Sequence, residues 1–577
     1  MLRRGVQAAL VLTGLLLTGW PSAGPLRAAE TALDAIPADA SVVVRLKNPE
    51  ATIDKLADFV DMVQPGFGGQ VRLQSQALGL AISNPTLGGV DQAADWWLAV
   101  FAPPEGGEPG VVFVIPATDV KAMKEALGDS FKFTEFGKWG VYTENDDAAE
   151  KIAAGLKTKG KSIASMIDAQ SQDSFDKGDL SVFVNLGQLT TLYKDKLAGM
   201  KTQASEALEK LPDDGGANLK VISQISAKFL SRLFQGIEDA RSFTTAINIS
   251  KQGISIEELL RVKTDSATDK FLKTSAPSEI ALLSTLPAGQ LGYVGLQVDM
   301  AAVIKLGTSL LGAVDGNEEA MKKLAAIMDE HAKLKYGAMA ASFEVGNAKA
   351  GALRAITVME VDNPQKARDL TEKQTQAMDG VKTPPVTTTS SLQKDAEKIG
   401  NNSVDILTVK QSYDDDNDAN TQMIEAVTKA VYGPDGMVSR FAYLKDRVVQ
   451  TLGGGKDAMS RALATQSEQS AKTSAGSSKV VVQSRKQLAP KANLVVLVDL
   501  PGLLARAVQA ASESGAIPFP INNAAVEGLQ LQESFIGISA GTEPQGLRCN
   551  THIPTEQIQG LMRCGLLFAT LRGNFNQ

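Results

Sequence analysis

Short apolar runs alternate with amphipathic helical patterns along most of this chain. The stretch Leu286–Leu311 is a clear example: the apolar, partly β-branched run Leu291–Val298 is followed by Asp299 and then by apolar residues at helical spacing. β-Branched runs suit half-buried strands, and an Asp side chain accepts hydrogen bonds from the free N–H groups of a first helical turn. The stretch therefore predicts a strand, an Asp cap and an amphipathic helix.

The same order of strand, Asx cap and helix recurs at three other places. They are Ser41–Leu46 with Asn48 and Pro49, Leu180–Val184 with Asn185, and Asn493–Val498 with Asp499. Proline suits a first helical position because its missing N–H would have no partner there. Recurrence in a fixed order indicates an internal repeat, and the alternative is that strand, cap and helix is a common local arrangement.

Each of these units is followed by a predicted hairpin and a further helix. Two apolar runs joined by a short glycine-containing turn predict a hairpin. The four predicted hairpins are Trp96–Ala102 with Gly110–Ile115, Phe243–Ser250 with Ile254–Val262, Ala338–Val345 with Ala352–Val361, and Phe535–Ser539 with Gly546–His552. An extra hairpin and helix are predicted at Lys132–Leu156 and Met437–Leu463.

Local hairpins that alternate with helices predict an α+β fold of antiparallel sheets backed on one face by helices. The order of elements predicts two similar tandem halves, at 30–280 and 281–577. The polar segment 379–402, which contains Pro384-Pro385, is predicted to be an exposed loop, and 465–478 is predicted to be a linker.

The N-terminal residues Met1–Ala29 have the pattern of a secretion signal. Arginines near the start precede the apolar segment Val6–Trp20, and a region of small residues follows, with cleavage expected after Ala28 or Ala29. An uncleaved anchor is the alternative. No later segment has the roughly 20 mainly apolar residues that a membrane span needs. We therefore expect an exported protein, either periplasmic or extracellular.

The charge of the chain argues against a nucleic-acid partner. There are 58 Lys and Arg residues and 65 Asp and Glu residues, which gives a formal net charge of −7. The basic residues form no block, and proteins that bind nucleic acid normally present a concentrated basic surface.

The chain has two cysteines, Cys549 in the last predicted hairpin and Cys564 near the end of the last predicted helix. In an exported protein a disulfide between them is expected. A loop of about 15 residues closed in this way would contribute roughly 3 kcal/mol to stability in the chain-entropy model. The alternative is two buried free thiols.

One serine matches a hydrolase motif. Gly537–Gly541 fits the GxSxG pattern around Ser539, but that motif works on a turn from strand to helix, and here one predicted strand follows another. The chain has only two histidines, His331 and His552, and their order along the chain does not fit the usual order of Ser, acid and His. A serine hydrolase that uses Ser539 is kept as an alternative function.

An acidic segment resembles a calcium-binding loop. Asp414, Asp416 and Asp418 supply carboxylates at alternating positions, and Glu425 stands at the twelfth position. Ala419 replaces the glycine that such a loop needs for its sharp turn, and a strand pattern precedes the segment. The alternative is a solvated acidic loop at the start of a helix.

Two glycine-containing segments suggest phosphate or anion binding. Gly155–Ser162 fits the pattern GxxxxGK[ST], but a helical pattern precedes it where the phosphate loop requires a strand. Gly453–Lys456 lies between a predicted strand and a predicted helix, which is better placed for an anion nest of backbone N–H groups. The simpler interpretation is a flexible turn.

Trp96-Trp97 places one indole on each face of a predicted strand. The outer indole marks either a ligand surface or a helix contact.

A Pro-Ala pair stands just before two of the predicted strands, in Ile36–Ala40 and in Leu286–Ala288, and Tyr432-Gly433 precedes the strand at Met437–Tyr443. These segments resemble a broad group of exported bacterial proteins that carry a domain of unknown function. The resemblance implies export and no assigned activity, so it transfers no functional residue. We expect a non-catalytic binding or scaffold protein that holds a protein partner or an apolar ligand, with the serine hydrolase and a calcium-stabilised structural protein as alternatives.

Overall fold

The structure is a computed structural model. It describes residues 31–74, 76–103, 107–157, 161–209, 217–311, 318–383, 386–413, 419–466, 472–515, 521 and 523–573. The predicted secretion signal at 1–29 lies outside these residues. Contacts divide the chain into two compact units. The first contains residues up to Ala198, Gln235–Leu272 and Glu543–Thr555, and the second contains Gly199–Phe234, Lys273–Thr542 and Glu556–Gln577. The sequence instead predicts a single boundary at 280.

The described residues form 19 strands. They are β1 (Val42–Leu46), β2 (Trp96–Phe101), β3 (Gly110–Pro116), β4 (Lys132–Phe136), β5 (Trp139–Thr143), β6 (Leu180–Val184), β7 (Ala240–Ser250), β8 (Gly253–Val262), β9 (Gly292–Leu296), β10 (Tyr336–Val345), β11 (Leu353–Val361), β12 (Val381–Thr383), β13 (Val386–Ile399), β14 (Asn402–Tyr413), β15 (Met437–Tyr443), β16 (Arg447–Leu452), β17 (Leu494–Val498), β18 (Ile536–Glu543) and β19 (Gly546–Pro554).

The described residues also form 19 α-helices. They are α1 (Pro49–Val63), α2 (Gly68–Leu73), α3 (Gln76–Ala81), α4 (Val120–Leu127), α5 (Asp146–Lys157), α6 (Ala169–Lys177), α7 (Leu186–Leu192), α8 (Lys194–Glu209), α9 (Ala217–Asp239), α10 (Ala267–Leu272), α11 (Met300–Leu311), α12 (Glu318–His331), α13 (Pro364–Met378), α14 (Ala419–Tyr432), α15 (Gly455–Ala464), α16 (Lys479–Lys486), α17 (Leu500–Glu513), α18 (Asn523–Glu527) and α19 (Thr555–Gly573).

The first unit is built on an antiparallel sheet in the order β4-β5-β3-β2-β1-β6-β7-β8-β19. The predicted α+β class with antiparallel hairpins is confirmed. Val114 and Ile115 are consecutive residues of β3 that belong to different buried clusters, because alternate side chains of a strand point to opposite faces of the sheet. Helical residues contribute to both clusters, so the expectation of helices on one face alone is wrong for this part of the sheet.

The second unit has its own antiparallel sheet in the order β12-β13-β14-β15-β16-β11-β10-β9-β17-β18. Its core includes Tyr293 and Phe535, which are both fully buried and meet edge to face with ring centroids 5.6 Å apart. An edge-to-face pair of this kind stabilises a core by about 1 kcal/mol beyond the area that it buries.

Seven strands have the same order in each unit. The run β4-β5-β3-β2-β1-β6-β7 of the first unit matches the run β15-β16-β11-β10-β9-β17-β18 of the second. The second unit differs by β12, β13 and β14, which come between β11 and β15 in the chain and extend the sheet beyond β15. The shared order makes individual positions of the two units directly comparable.

The segment 379–402 is not a loop, as the sequence predicts, but contains β12 and β13. Thr388, Ser390 and Leu392 are half-buried while the residues between them are exposed. Side-chain burial therefore alternates along this part of β13, as in a strand that packs one face against the rest of the protein. The Ser390 hydroxyl donates to the Thr375 carbonyl of α13 at 2.8 Å. The inward residues are mostly polar, which explains why the sequence pattern misses this strand.

The predicted linker at 465–478 contains residues that pack into the core of the second unit. Ala475 is fully buried and lies in a short 3-10 helix, Ala475–Ser477. Residues 467–471 of the segment lie outside the described residues. The Ala475 N–H donates to the Leu286 carbonyl at 2.7 Å, so this part of the segment belongs to the second unit's core.

The predicted Asx caps are present. Asn48 Oδ1 accepts the Ala51 N–H at 3.0 Å at the start of α1, where Pro49 occupies the first helical position. Asp499 Oδ1 accepts the Gly502 N–H at 3.2 Å at the start of α17. These bonds satisfy donors that a helix start leaves free, and they fix the point at which each strand turns into its helix.

Candidate functional site

A polar pocket of about 490 Å³ opens in the second unit. Its lining residues are Glu344, Ala350, Arg354, Gly454, Gly455, Asp457 and Arg461. The volume lies within the roughly 300–1,000 Å³ that ligand pockets usually have. We call it the Arg354–Arg461 pocket.

Three elements place the charged groups of this pocket. Glu344 on β10 stands directly opposite Arg354 on β11, and Arg461 reaches the same place from α15. Arg461 Nη2 lies 2.9 Å from Glu344 Oε1, and Arg354 Nη1 lies 3.6 Å from the same oxygen. One carboxylate oxygen is therefore shared by two guanidinium groups, which holds both arginines at the pocket.

The two guanidinium groups carry more donors than Glu344 can satisfy. Each has five N–H donors in a planar fork that matches a carboxylate or a phosphate. Arg354 Nε is buried and has no hydrogen-bond partner among the described residues. The Arg354 and Arg461 side chains are 31% and 47% exposed, so an anion arriving from solvent can reach them. Asp457 adds a second carboxylate to the lining, so the formal charge of the four side chains is balanced.

Three consecutive glycines lead into the helix start beside the pocket, and Gly454 and Gly455 belong to its lining. Gly453, Gly454 and Gly455 have φ values of +66°, +66° and +63°, in the left-handed region that glycine adopts without a side-chain clash. Gly454 caps α15 without a side-chain hydrogen bond. At the matching helix of the first unit, Asn145 Oδ1 accepts the Ala148 N–H at 2.8 Å. The start of α15 thus lacks the internal acceptor that α5 has, and its partial positive charge faces the pocket.

The glycine cluster was visible in the sequence, but its surroundings were not. The simpler sequence interpretation of Gly453–Lys456 was a flexible turn, whereas the structure puts Gly454 and Gly455 in the pocket lining. No sequence signal linked them to Arg354, because the β10–β11 hairpin is about a hundred residues earlier in the chain. The arrangement depends on β11 pairing with β16, which brings Ala355 opposite Leu452.

The hydrolase candidate Ser539 is not placed for catalysis. It lies in β18, is fully buried, and its hydroxyl accepts the Ala489 N–H at 3.2 Å. His552 belongs to the first unit, where Nδ1 lies 3.0 Å from the Ser255 hydroxyl. His331 Nδ1 lies 2.6 Å from the Tyr336 hydroxyl. A serine that is fully buried inside a sheet cannot meet a substrate.

The calcium candidate stays a prediction. Asp414, Asp416 and Asp418 lie outside the described residues, and only Glu425 is described. It lies in α14, with Oε1 2.6 Å from the Lys429 ammonium, an i,i+4 pair on the helix surface. Within the described ranges, no group of three or more His, Cys, Asp or Glu side chains is arranged to hold a metal ion.

The two cysteines are free thiols in the structure, so the expected disulfide is not formed there. Cys549 is half-buried on β19, in the first unit, and Cys564 is buried on α19, in the second. The Cys564 thiol donates to the Pro501 carbonyl at 3.7 Å. Burial raises the pKa of both thiols, which keeps them protonated and poorly reactive at neutral pH.

The paired tryptophans line a cavity that is too small for a ligand. Trp96 is buried and its indole N–H donates to the Asp91 carbonyl at 2.9 Å. Trp97 is half-buried against Phe175, with ring centroids 5.7 Å apart. The cavity beside them has a volume of about 30 Å³, close to the space of one water molecule.

The phosphate-loop match Gly155–Ser162 begins inside a helix. Gly155 lies within α5, where the motif requires a loop that follows a strand. Residues 158–160 of the match lie outside the described residues.

No protein-family model, curated protein or solved structure matches this chain. Across the described residues, the helices are too short or too polar to cross a membrane. Function must therefore be inferred from the chemistry of the Arg354–Arg461 pocket.

Proposed function

We propose that this protein is an exported, non-catalytic binding protein that holds an anionic group of its ligand in the Arg354–Arg461 pocket. One observation carries the proposal: two guanidinium groups share a single carboxylate oxygen beside a helix start that has no side-chain cap. Export is proposed on the sequence pattern of residues 1–29 alone.

The chemistry of the pocket favours binding over proton transfer. Arginine stays charged at all ordinary pH values, so Arg354 and Arg461 can orient an anion but cannot act as an acid or base. Glu344 and Asp457 balance the formal charge of the two arginines, which favours a small carboxylate or phosphate group over a polyanion. We expect modest affinity that falls with added salt, because the pocket is open and the charges are partly screened.

The pocket favours an anionic ligand over the apolar one expected from the sequence. The cavity beside the tryptophans is about 30 Å³, whereas the polar pocket is about 490 Å³. An apolar ligand of ordinary size needs several hundred Å³ of largely apolar lining. A protein partner remains compatible with the proposal when it presents a carboxylate or phosphate group.

The test is calorimetric titration of the full chain with inorganic phosphate and pyrophosphate in low-salt buffer. Arg461→Gln keeps a polar side chain but removes the charge, and we expect it to weaken binding about tenfold, equivalent to about 1.4 kcal/mol. The matched control is Arg447→Gln on β16, which removes an arginine that pairs with Asp446 instead. Its affinity should equal that of the unchanged protein.

Two results would contradict the proposal. One is that neither phosphate nor pyrophosphate binds at millimolar concentration. The other is that Arg461→Gln and Arg447→Gln weaken binding equally, which would place the anion elsewhere. Native mass spectrometry of the protein from its source would then report whether any small molecule is bound at all.

A further inference from the structure

The two units place different side chains at one equivalent position, Asp179 before β6 and Asn493 before β17. In each unit the residue's N–H donates to the strand of the following hairpin, at 3.0 Å to Ile247 and at 2.8 Å to Ala540. In each unit its carbonyl accepts the N–H that follows the central strand, from Lys47 at 2.9 Å and from Gln297 at 2.7 Å. The two backbones therefore make the same hydrogen bonds.

The Asn493 side chain uses both of its polar atoms. Oδ1 accepts the Thr542 N–H at 2.8 Å. Nδ2 donates to the Gln297 carbonyl at 3.0 Å and to the Ser275 carbonyl at 3.2 Å. A neutral amide fits here because the position offers one backbone donor on one side and backbone acceptors on the other.

Asp179 meets the same surroundings with a carboxyl group. It is 3% exposed and accepts the Ile249 N–H, which is the counterpart of Thr542. Its other oxygen, Oδ2, is buried with no hydrogen-bond partner in the described part of the chain. That oxygen takes the place of Asn493 Nδ2, so an acceptor stands where the second unit has a donor.

We propose that Asp179 is a neutral carboxylic acid in the folded protein and that its ionisation loosens the first unit's sheet at β6. The proton on Oδ2 would make it a donor, as Nδ2 of Asn493 is, toward the Lys47 carbonyl, the counterpart of the Gln297 carbonyl. That carbonyl also accepts the Thr52 hydroxyl and has two lone pairs, so it can take both bonds. Ionisation releases the proton to solvent and leaves two acceptors facing each other.

The charged groups that act most strongly on Asp179 are three cations. Lys55 comes from α1, and Lys47 and Arg45 come from β1 and its end. Arg45 is already engaged, with Nη2 2.7 Å from Asp95 Oδ2 and Nη1 2.9 Å from the Phe175 carbonyl. Burial raises the pKa of Asp179 to about 7, against the lowering effect of these cations and of the Ile249 N–H.

The sign of the pH dependence follows from that direction. The folded protein binds a proton at Asp179 more tightly than the unfolded chain, whose aspartates titrate near pH 4. The stability that the protonated group contributes is complete below about pH 4 and is lost as the pH rises through about 7. We therefore expect the folded protein to be more stable in mildly acidic solution than at alkaline pH.

The test is thermal unfolding from pH 5 to pH 9 of the full chain and of Asp179→Asn, with hydrogen exchange of the peptide covering Ala240–Ser250. The unchanged protein should lose melting temperature across neutral pH. Asp179→Asn should remove that loss and melt roughly 5 °C higher at pH 8.5. Exchange in the β7 peptide should slow severalfold at the same pH.

The reciprocal variant is the matched control. Asn493→Asp should introduce a loss of melting temperature across neutral pH and faster exchange in the peptide covering Ile536–Glu543, while leaving β7 unchanged. The proposal is overturned if Asp179→Asn melts lower than the unchanged protein at pH 8.5. That result would show an ionised Asp179 that stabilises the fold through Lys55. An unchanged pH profile in both variants would overturn it equally.

Discussion

The carboxylate of Asp405 on β14 joins the β13–β14 hairpin to α13, the helix that precedes it. Asp405 is 1% exposed, and its two oxygens lie 2.7 Å and 2.6 Å from Arg368 Nε and Nη2. The Arg368 guanidinium also lies over the Tyr443 ring, 5.9 Å from its centroid. Arg368 Nη2 also lies 3.0 Å from Oδ1 of Asp395, whose side chain is 57% exposed. The bidentate pair fixes the Asp405 side chain, because its rotation would leave a buried charge without its ion-pair partner.

We predict that Asp405→Ala lowers the free energy of unfolding by about 3 kcal/mol, because it removes the buried bidentate partner of the largely buried Arg368 and leaves that charge to the exposed Asp395 carboxylate. Urea denaturation followed by circular dichroism measures the change. Asp54→Ala is the control, since Asp54 pairs with Arg72 at 3.0 Å but is 63% exposed. An exposed pair contributes less than about 1 kcal/mol. Equal losses in the two variants would show that burial of the pair is unimportant.

At the scale of single elements, side-chain caps mark where strands end and helices begin. Asn363 Oδ1 accepts the Lys366 N–H at 2.9 Å, and Pro364 occupies the first turn of α13. The same combination is present at Asn48 and Pro49. A cap satisfies one of the free N–H groups of the first turn, and proline costs no hydrogen bond there.

We predict that Asn363→Ala lowers the free energy of unfolding by about 1 kcal/mol and that Asn363→Ser recovers most of it. Thermal unfolding of the two variants measures the difference. Alanine offers no side-chain acceptor, whereas serine offers one. Similar losses for alanine and serine would mean that the Lys366 N–H does not depend on the cap.

Elements with a strong local signal could be predicted, and those defined by distant partners could not. Asn48 and Asp499 reveal their helices through cap chemistry, which involves neighbouring residues only. The strand β13 was missed because Thr388 and Ser390, on its inward face, are polar. The convergence of Arg354 and Arg461 was missed because it depends on pairing between strands far apart in the chain.

At the scale of the whole molecule, the last strand of the chain completes the sheet of the first unit. Residues Gly546–Pro554 of β19 pair with Gly253–Arg261 of β8. An unpaired β8 would be an open edge with free N–H and C=O groups. The first unit therefore depends on a segment that follows nearly all of the second in sequence.

We predict that ending the chain after Thr542 lowers protection from hydrogen exchange in Gly253–Val262, because the N–H groups of β8 that bond to β19 lose their partners while those that bond to β7 keep theirs. Ending it after Thr555 should keep the full protection, because β19 is then present. Hydrogen exchange with mass spectrometry of the β8 peptide distinguishes the two. Equal protection in both truncated chains would show that pairing with β7 alone is enough to protect β8.

The pairing of β8 with β19 also implies a delay during synthesis between the two strands that must pair. Val262 at the end of β8 and Gly546 at the start of β19 are about 284 residues apart. A ribosome adds roughly 5–20 residues per second, so β19 is synthesised on the order of 15 to 60 seconds after β8. During that interval the first unit has a sheet with one side unfinished. Glu257 and Glu258 in the middle of β8 put negative charges on this waiting edge, which discourages pairing with the same strand of another nascent chain.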